Sequence, residues 1–285
     1  MPRLRAFVLV ATFVVLTLAS VPIQYFSLRC RLKLCRIYPH AYHRLLCRMF
    51  GIRITVIGKP VEDSGVLFVA NHTGYFDILI MSATARLSFV AKREVASWPL
   101  FGLMARLQES IFVDRDRRSA AGAARDVLRQ RLRRGDALVL FPEGTSTDGN
   151  RVLTFKSALM GAVESEIGHD AAGRVRYVPV QPVSITYVGV HGIPLGRENR
   201  PLFAWYGDME LLPHVWEAVK AGPLDVVVEF HPPLTMDEAG DRKRIAILAE
   251  TAVRRGQTRA LRGEVGPTLA PAPAADEPAP AEAPA

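Results

Sequence analysis

An uncharged and mostly apolar run, AFVLVATFVVLTLASVPIQYFS, extends from Ala6 to Ser27. A helix needs about 20 such residues to cross a bilayer, so this run is just long enough to span one. Pro22 and Gln24 weaken its end, and a helix that lies within the membrane surface is the alternative. A signal peptide is a third interpretation, but no A-x-A-like site leads into a neutral or acidic segment. We therefore predict that the run anchors the chain to a membrane.

Positive charge surrounds and follows this run. No Asp or Glu precedes Glu62, and the whole chain carries a formal net charge of +8. This distribution is typical of a segment at an anionic membrane surface, whereas a nucleic-acid interface would interleave basic and aromatic residues. More basic residues follow the run than precede it, which predicts that the chain after the run lies on the cytoplasmic face. The basic residues before Glu62 are Arg3, Arg5, Arg29, Arg31, Lys33, Arg36, Arg44, Arg48, Arg53 and Lys59.

Composition divides the chain into three predicted parts. Residues 1–50 combine the apolar run with a second helical pattern at His43–Phe50, and are predicted to form a membrane anchor and basic docking helices. Residues 51–263 are predicted to form an α/β domain, and the Pro/Ala-rich residues 264–285 a disordered tail. The cysteines show no metal-ligand spacing with histidines, so we expect no metal site. They are Cys30, Cys35 and Cys47.

After Gly51, short β-rich runs alternate with helical patterns, and several runs are continuously apolar, as strands covered on both faces tend to be. Helices are predicted after Ser119, near Leu211–Ala221 and near Ala239–Leu261. The alternation predicts an α/β fold, with a largely parallel or mixed sheet of about seven strands flanked by helices and preceded by the membrane-docking segment. The candidate strands are Ile54–Gly58, Val66–Ala70, Leu87–Ala91, Ser110–Val113, Ala137–Phe141, Val178–Tyr187 and Asp225–Phe230.

The segment VLFVANHTGYFDILI carries the clearest chemical signal. Its apolar strand, Val66–Ala70, runs directly into polar residues, and open α/β sheets place their ligands at such strand ends. Asp77 follows His72 by five positions, about 140° off one face of a straight helix, so His72 must lie in the turn before the helix. The pair can then act as a general base and the carboxylate that orients it. On spacing alone, Asp77 could equally serve only the helix dipole.

Two further apolar strands end in polar turns. One ends in Asp114-Arg115, and the Arg115 guanidinium could hold a phosphate or simply lie at the surface. Another leads into Pro142–Ser146, where backbone N–H groups could hold an anion, with Lys156 downstream as further positive charge. Each turn alone is weak evidence, but three polar turns after apolar strands favour one shared site.

These segments resemble the lysophosphatidate (1-acylglycerol-3-phosphate) acyltransferase family, within the phospholipid/glycerol acyltransferase superfamily. Asn71-His72, with Asp77 five residues after His72, resembles the family's N-H-x-x-x-x-D motif. Ile111–Arg115 resembles its second block, Phe141–Thr145 its F-P-E-G-T block, and Val178–Val180 the start of its fourth. The four blocks occur in the family's order between about Val66 and Tyr187.

The resemblance implies an O-acyltransferase that moves a fatty-acyl chain from acyl-CoA or acyl-carrier protein to the free hydroxyl of a membrane lysolipid. The first acceptor it implies is 1-acyl-sn-glycerol-3-phosphate, which would give phosphatidate. His72 would deprotonate the hydroxyl, Asp77 would orient His72, and backbone N–H groups would stabilise the oxyanion. No acyl-enzyme, metal or other cofactor is implied. The residues implied to bind substrate are Asn71, Thr73, Gly74, Lys92, Arg115, Glu143, Gly144, Thr145 and Lys156.

The third block departs from the family's pattern, because Ser146 stands where E-G-T-R has its arginine. Arg151 or Lys156 could replace the lost phosphate contact. The run E-G-T-S-T-D-G-N-R is closer to the lyso-ornithine-lipid acyltransferase branch, whose acceptor carries no phosphate. Lyso-ornithine lipid is therefore the alternative acceptor. A non-catalytic lipid-binding module and a thioester hydrolase are the alternatives from other functional classes.

Overall fold

The computed structural model describes residues 2–62, 64–114, 118–169 and 173–264. Two long helices come first, α1 (Pro2–Arg29) and α2 (Leu34–Phe50), so the second helix is longer than the pattern at His43–Phe50 indicated. Pro22 lies inside α1 and does not end it. Gly51 ends α2 in a left-handed conformation, with φ of 74°, which glycine adopts without steric cost.

A polar seam joins α1 to α2. The Thr17 hydroxyl lies 2.6 Å from that of Tyr42, and the Tyr38 hydroxyl donates to Ser20. The Gln24 amide donates to backbone carbonyls of both Cys35 and Leu107. The opposite face of α1 is apolar and exposed, and the helix is long and apolar enough to cross a membrane. The seam holds one face of α1 against the protein and leaves the other as an apolar surface.

Ten strands follow in the described residues, and eight of them form one sheet. The sheet order is β1-β10-β8-β2-β5-β3-β4, with β9 beside β8, and β6 pairs only with β7. The strands are β1 (Arg53–Ile57), β2 (Val66–Ala70), β3 (Ser88–Lys92), β4 (Ile111–Val113), β5 (Ala137–Leu140), β6 (Glu166–His169), β7 (Val175–Tyr177), β8 (Val180–Val190), β9 (Ile193–Pro194) and β10 (Leu224–Phe230).

Five neighbouring strands, β8, β2, β5, β3 and β4, are parallel, so their carboxyl ends meet at one edge of the sheet. Strand β10 is antiparallel to β8, and β1 is parallel to β10. The sheet is therefore mixed and largely parallel, which confirms the predicted fold class. The edge where the five strands end is where ligands of such sheets bind.

Helices cover both faces of the sheet. Residues of α2, α3 and α6 pack with Phe68 and Val183 on one face, and residues of α5 and α8 pack with Leu67 and Val69 on the other. The predicted helix near Ala239–Leu261 begins three residues later, at Arg242, and a short helix, Met236–Ala239, precedes it; each of the two has a capping side chain at its N-terminus. The helices after α2 are α3 (Phe76–Thr84), α4 (Phe101–Leu107), α5 (Arg118–Arg133), α6 (Leu211–Ala221), α7 (Met236–Ala239) and α8 (Arg242–Leu261), with short 3-10 helices at Arg93–Ser97, Ser157–Glu164 and Arg200–Leu202.

The domain boundaries near residues 50 and 263 stay a prediction. The predicted disordered tail falls almost wholly on residues 265–285, which lie outside the described residues.

Candidate active site

His72 and Asp77 meet in the turn between β2 and α3. Nδ1 of His72 lies 2.8 Å from Oδ2 of Asp77, and the same oxygen accepts from the backbone N–H of Thr73 at 2.6 Å and of Gly74 at 3.0 Å. Asp77 lies in the first turn of α3 and is fully buried. An ionised carboxylate only accepts hydrogen bonds, so Nδ1 of His72 carries the proton and Nε2 has a lone pair for a substrate proton.

The imidazole of His72 is held flat against Phe141. The ring centroids are 4.1 Å apart and the planes differ by 17°. Phe141 follows β5, the neighbour of β2, so the two strand ends bring the rings together. The His72 side chain stays 23% exposed, while the Asp77 side chain is at 0%. The base is therefore accessible and the carboxylate behind it is not.

Two distant segments hold the backbone of this turn. The N–H of Thr147 donates to the carbonyl of His72 at 2.9 Å, and the N–H of Trp205 donates to that of Thr73 at 3.0 Å. The Ser146 hydroxyl donates to the carbonyl of Trp205 at 2.6 Å, which joins the two segments. A Cβ on Gly74 would lie only 2.9 Å from the backbone nitrogen of Trp205. Glycine at position 74 is thus needed for this close approach of the Trp205 backbone.

Glu143 lies beneath the turn. Its side chain is buried, and Oε1 accepts from the backbone N–H of His72 at 3.4 Å. Burial raises the pKa of this carboxyl to about 8. Oε2 is buried without a hydrogen-bond partner among the described residues. Glu143 therefore supports the backbone of the base, and its carboxyl is shielded from solvent.

Asn71 joins β2 to β8. Its side-chain nitrogen donates to the carbonyl of Ile185 and its side-chain oxygen accepts from the N–H of the same residue, both at 2.8 Å. The side chain is 1% exposed. These contacts support a structural role in fixing the strand end rather than the substrate contact that the resemblance implied.

Two of the predicted cationic residues, Lys92 and Lys156, lie in the described part of the chain. Lys92 is exposed and lies 3.5 Å from Glu94, and Lys156 is exposed after the Pro142–Ser146 turn. Neither lysine hydrogen-bonds to His72 or Asp77 in the described part of the chain. Gly144 is half-buried and Thr145 exposed in the turn after β5. Arg115 lies outside the described residues, so its phosphate-binding role stays a prediction.

Two residues of this site were missed by sequence reasoning. Tyr187, within a predicted apolar strand, donates its hydroxyl to Oδ1 of Asp77 at 2.7 Å. A buried tyrosine usually needs a hydrogen-bond partner, but that signal does not say which residue it is. Trp205 lies beyond the recognised blocks, and no sequence pattern indicated its contact with Thr73. In the ranges that the structure describes, no group of three or more His, Cys, Asp or Glu residues could hold a metal ion.

An accessible imidazole in contact with a buried carboxylate, at the carboxyl edge of parallel strands, is a geometry suited to an α/β enzyme that uses a general base. A family model described as Acyltransferase matches residues 53–186. The chain is 44% identical to a lyso-ornithine lipid O-acyltransferase of Brucella abortus (strain 2308), over 91% of this chain and 96% of that protein. The chain therefore belongs to the acyltransferase family and is an enzyme of that class, as the four motifs predicted.

Two further comparisons extend this result. A 1-acyl-sn-glycerol-3-phosphate acyltransferase of Neisseria gonorrhoeae is 31% identical, over 70% of this chain and 72% of that protein. The crystal structure of the 1-acyl-sn-glycerophosphate acyltransferase PlsC from Thermotoga maritima matches with a TM-score of 0.62 and 24% identity, over 90% of this chain and 94% of that chain. The structural match shows a shared fold over most of the chain.

Proposed function

We propose that this enzyme transfers a fatty-acyl chain from a thioester to the free hydroxyl of lyso-ornithine lipid. The observation that carries the choice of acceptor is the side chain of Ser146. It donates to the carbonyl of Trp205 at 2.6 Å and so connects two protein segments at the site. An arginine at this position would present a fork of donors to a phosphate, whereas serine presents none. The site is thus suited to an acceptor without a phosphate.

The comparisons support the same choice. The relative that acts on lyso-ornithine lipid covers nearly the whole chain at 44% identity, while the relative that acts on 1-acyl-sn-glycerol-3-phosphate matches at 31% over a shorter span. Motifs alone placed lysophosphatidate first, because the second block contains Arg115. With Ser146 engaged by protein, we now place lyso-ornithine lipid first and keep lysophosphatidate as the second acceptor.

The chemistry follows from the geometry of His72. Nε2 takes the proton of the acceptor hydroxyl while Asp77 holds Nδ1 and stabilises the imidazolium. The acceptor oxygen attacks the thioester carbonyl, the new C–O bond forms, and the C–S bond breaks. The imidazolium then returns its proton to the departing thiolate, so the acceptor proton ends on the thiol. This sequence needs no acyl-enzyme and no metal, and the donor is acyl-CoA or acyl-carrier protein.

We further propose that α1 holds the enzyme at a membrane, with the catalytic domain on the cytoplasmic face. Its outward face is apolar, with Phe7 and Val15 about two-thirds exposed at 64% and 65%. Its inward face is tied to α2 through Thr17 and Gln24. The first residues of the chain and those after α1 are basic, which favours contact with anionic head groups.

Purified enzyme tests the acceptor directly. We expect kcat/KM for lyso-ornithine lipid to exceed that for lysophosphatidate by at least about tenfold with one acyl donor, a difference of about 1.4 kcal/mol. Ser146→Arg should lower the ratio of kcat/KM for lyso-ornithine lipid to kcat/KM for lysophosphatidate, because the arginine restores a partner for the phosphate. Ser146→Ala is the matched control, since it removes the hydrogen bond to Trp205 without adding charge.

Four outcomes would contradict different parts of the proposal. A wild-type preference for lysophosphatidate would overturn the acceptor. Equal ratios in Ser146→Arg and Ser146→Ala would overturn the role of this position. Full activity in His72→Ala would contradict the role of His72 as general base, because removal of the base should lower the rate of acyl transfer by several orders of magnitude. If the thioester is cleaved equally fast in the presence and absence of lysolipid, the enzyme is a hydrolase.

A further inference from the structure

A hydroxyl from the middle of the sheet reaches the carboxylate behind the base. Tyr187 lies on β8, between β10 and β2, and is 1% exposed among the packed side chains of the core. Its hydroxyl lies 2.7 Å from Oδ1 of Asp77. If tyrosine served only to fill space here, its buried hydroxyl would lack a hydrogen-bond partner, which would destabilise the folded state. Its position in the core therefore depends on the carboxylate that it contacts.

The two oxygens of Asp77 are divided between different tasks. Oδ2 accepts from Nδ1 of His72 and from the N–H groups of Thr73 and Gly74. Tyr187 is the donor to Oδ1 in the residues that the structure describes. A carboxylate has about four acceptor positions, and four donors contact this one, three of them at Oδ2 and one at Oδ1. Rotation of the carboxylate would break three or more of these bonds together.

Tyr187 can act only as a donor in this pair. Burial raises the pKa of its phenol well above the ordinary value, and the neighbouring negative charge of Asp77 raises it further. The phenol therefore keeps its proton across the pH range in which the enzyme works. Because the phenol stays protonated, the tyrosine donates this hydrogen bond and the carboxylate accepts it.

The backbone of Tyr187 is held in place as well. The Nε of Arg200 donates to the carbonyl of Tyr187 at 3.2 Å, and a second nitrogen of the same guanidinium donates to the carbonyl of Leu195 at 2.9 Å. Its third nitrogen donates to Asn150, in the loop that follows the Pro142–Ser146 turn. Arg200 is itself buried. Arg200 thus fixes the backbone of Tyr187 and also contacts the loop beside His72.

We propose that Tyr187 is a positioning residue for acyl transfer, which fixes the carboxylate of Asp77 through Oδ1 so that Oδ2 stays aligned with Nδ1 of His72. The proposal rests on the function proposed for His72 and extends it to a third side chain. The phenol also disperses part of the carboxylate's charge. Its removal leaves Asp77 more basic, and a more basic neighbour stabilises the imidazolium form of His72.

The test is Tyr187→Phe, with steady-state kinetics across pH on lyso-ornithine lipid and lysophosphatidate. We expect kcat to fall roughly 10- to 100-fold, as for a small misplacement of a reacting group, with KM for the acceptor little changed. The acid limb of kcat/KM reports the pKa of the free base, and we expect it to move to higher pH by on the order of half a unit. Ser184→Ala is the matched control.

Ser184 lies on the same strand and is also buried, but its hydroxyl lies 3.2 Å from His231 and makes no contact with Asp77. Its loss should lower thermal stability and leave the acid limb unchanged. In an Asp77→Asn background, Tyr187→Phe should lower kcat by a much smaller factor than it does in wild type, because the two side chains act as one unit. Should Tyr187→Phe not fold, 3-fluorotyrosine at position 187 is the second variant. It is a stronger donor of nearly the same shape, and it should move the acid limb to lower pH.

An unshifted acid limb of kcat/KM in Tyr187→Phe would overturn the role of Tyr187. So would an equal fold-loss of kcat from Tyr187→Phe in wild type and in the Asp77→Asn background. Failure of the proposed function has a different signature, because wild type itself would then acylate neither lysolipid. Loss of stability alone, equal in Tyr187→Phe and Ser184→Ala, would reduce Tyr187 to a core residue.

Discussion

Glu143 places a carboxyl directly beneath the backbone of His72, in a position with almost no access to water. Burial raises its pKa from the ordinary 4.5 to about 8. The folded protein therefore holds a proton on Glu143 that the unfolded chain has released between these two values. Stability from this group is fully present below about pH 4.5 and is lost as the pH rises toward about 8.

Glu143→Gln should remove that loss. The amide stays neutral at all pH values, so relative to wild type the variant should gain stability as the pH rises from 5 to 8, by on the order of 2–4 kcal/mol. Urea unfolding in detergent, followed by tryptophan fluorescence at pH 5, 6.5 and 8, measures this difference. Parallel stability curves for the two proteins would show that Glu143 ionises normally in the folded state.

At the scale of elements, α1 is unusual in having two unlike faces. Hydroxyl and amide groups of its inner face pair with α2 and with Leu107 at the end of α4. Its outer face carries large apolar side chains. Deletion of α1 would therefore expose the inner partners as well as remove the proposed anchor. Substitution on the outer face separates these effects.

Glutamates at Phe7, Val15 and Leu18 should release the protein from membranes while the fold is retained. These side chains are 64%, 65% and 59% exposed, and burial of each in lipid would contribute about 1.5–3 kcal/mol. Glutamates at Val127, Ile193 and Ile247 add the same charge on other exposed apolar positions, and this variant should stay in the membrane fraction. Flotation with vesicles that contain anionic lipid compares the two, and co-flotation of the α1 variant would place the anchor elsewhere.

On the scale of the whole molecule, one sheet serves two cores. Phe68 packs on the face covered by α2, α3 and α6, and Leu67, its neighbour in β2, packs on the face covered by α5 and α8. Both side chains are fully buried. Because successive residues of a strand point to opposite faces, β2 couples the two cores as well as positioning His72.

Phe68→Ala and Leu67→Ala should each destabilise the α/β domain as a unit. Typical costs are about 3–5 kcal/mol for phenylalanine and 2–5 kcal/mol for leucine. Circular dichroism and tryptophan fluorescence should show one coincident transition for each variant. Separate transitions for the two probes would mean that the cores on the two faces unfold independently.

The sequence by itself predicted seven of the ten described strands and paired His72 with Asp77, but it did not indicate β6, β7, β9 or α4. Continuous apolar runs predicted the strands of the central sheet, because strands covered on both faces exclude polar residues. His72 and Asp77 are close in the chain, so a turn between β2 and α3 could bring them together, and the motif resemblance favoured this contact over a helix-dipole role for Asp77. The apolar run at Ala6–Ser27 likewise predicted α1, since helix formation depends on neighbours in the chain.

Only the tertiary structure decided what surrounds that pair. The insertion of β5 between β2 and β3 brings Phe141 against His72, and no local pattern specifies the order of strands. Tyr187 and Asp77 are 110 positions apart, and Trp205 reaches Thr73 from beyond the recognised blocks. Periodicity records which face of an element is buried but not what it is buried against. Contacts between distant segments depend on the packing of the whole chain, and for that reason the partners of the base were visible only in the fold.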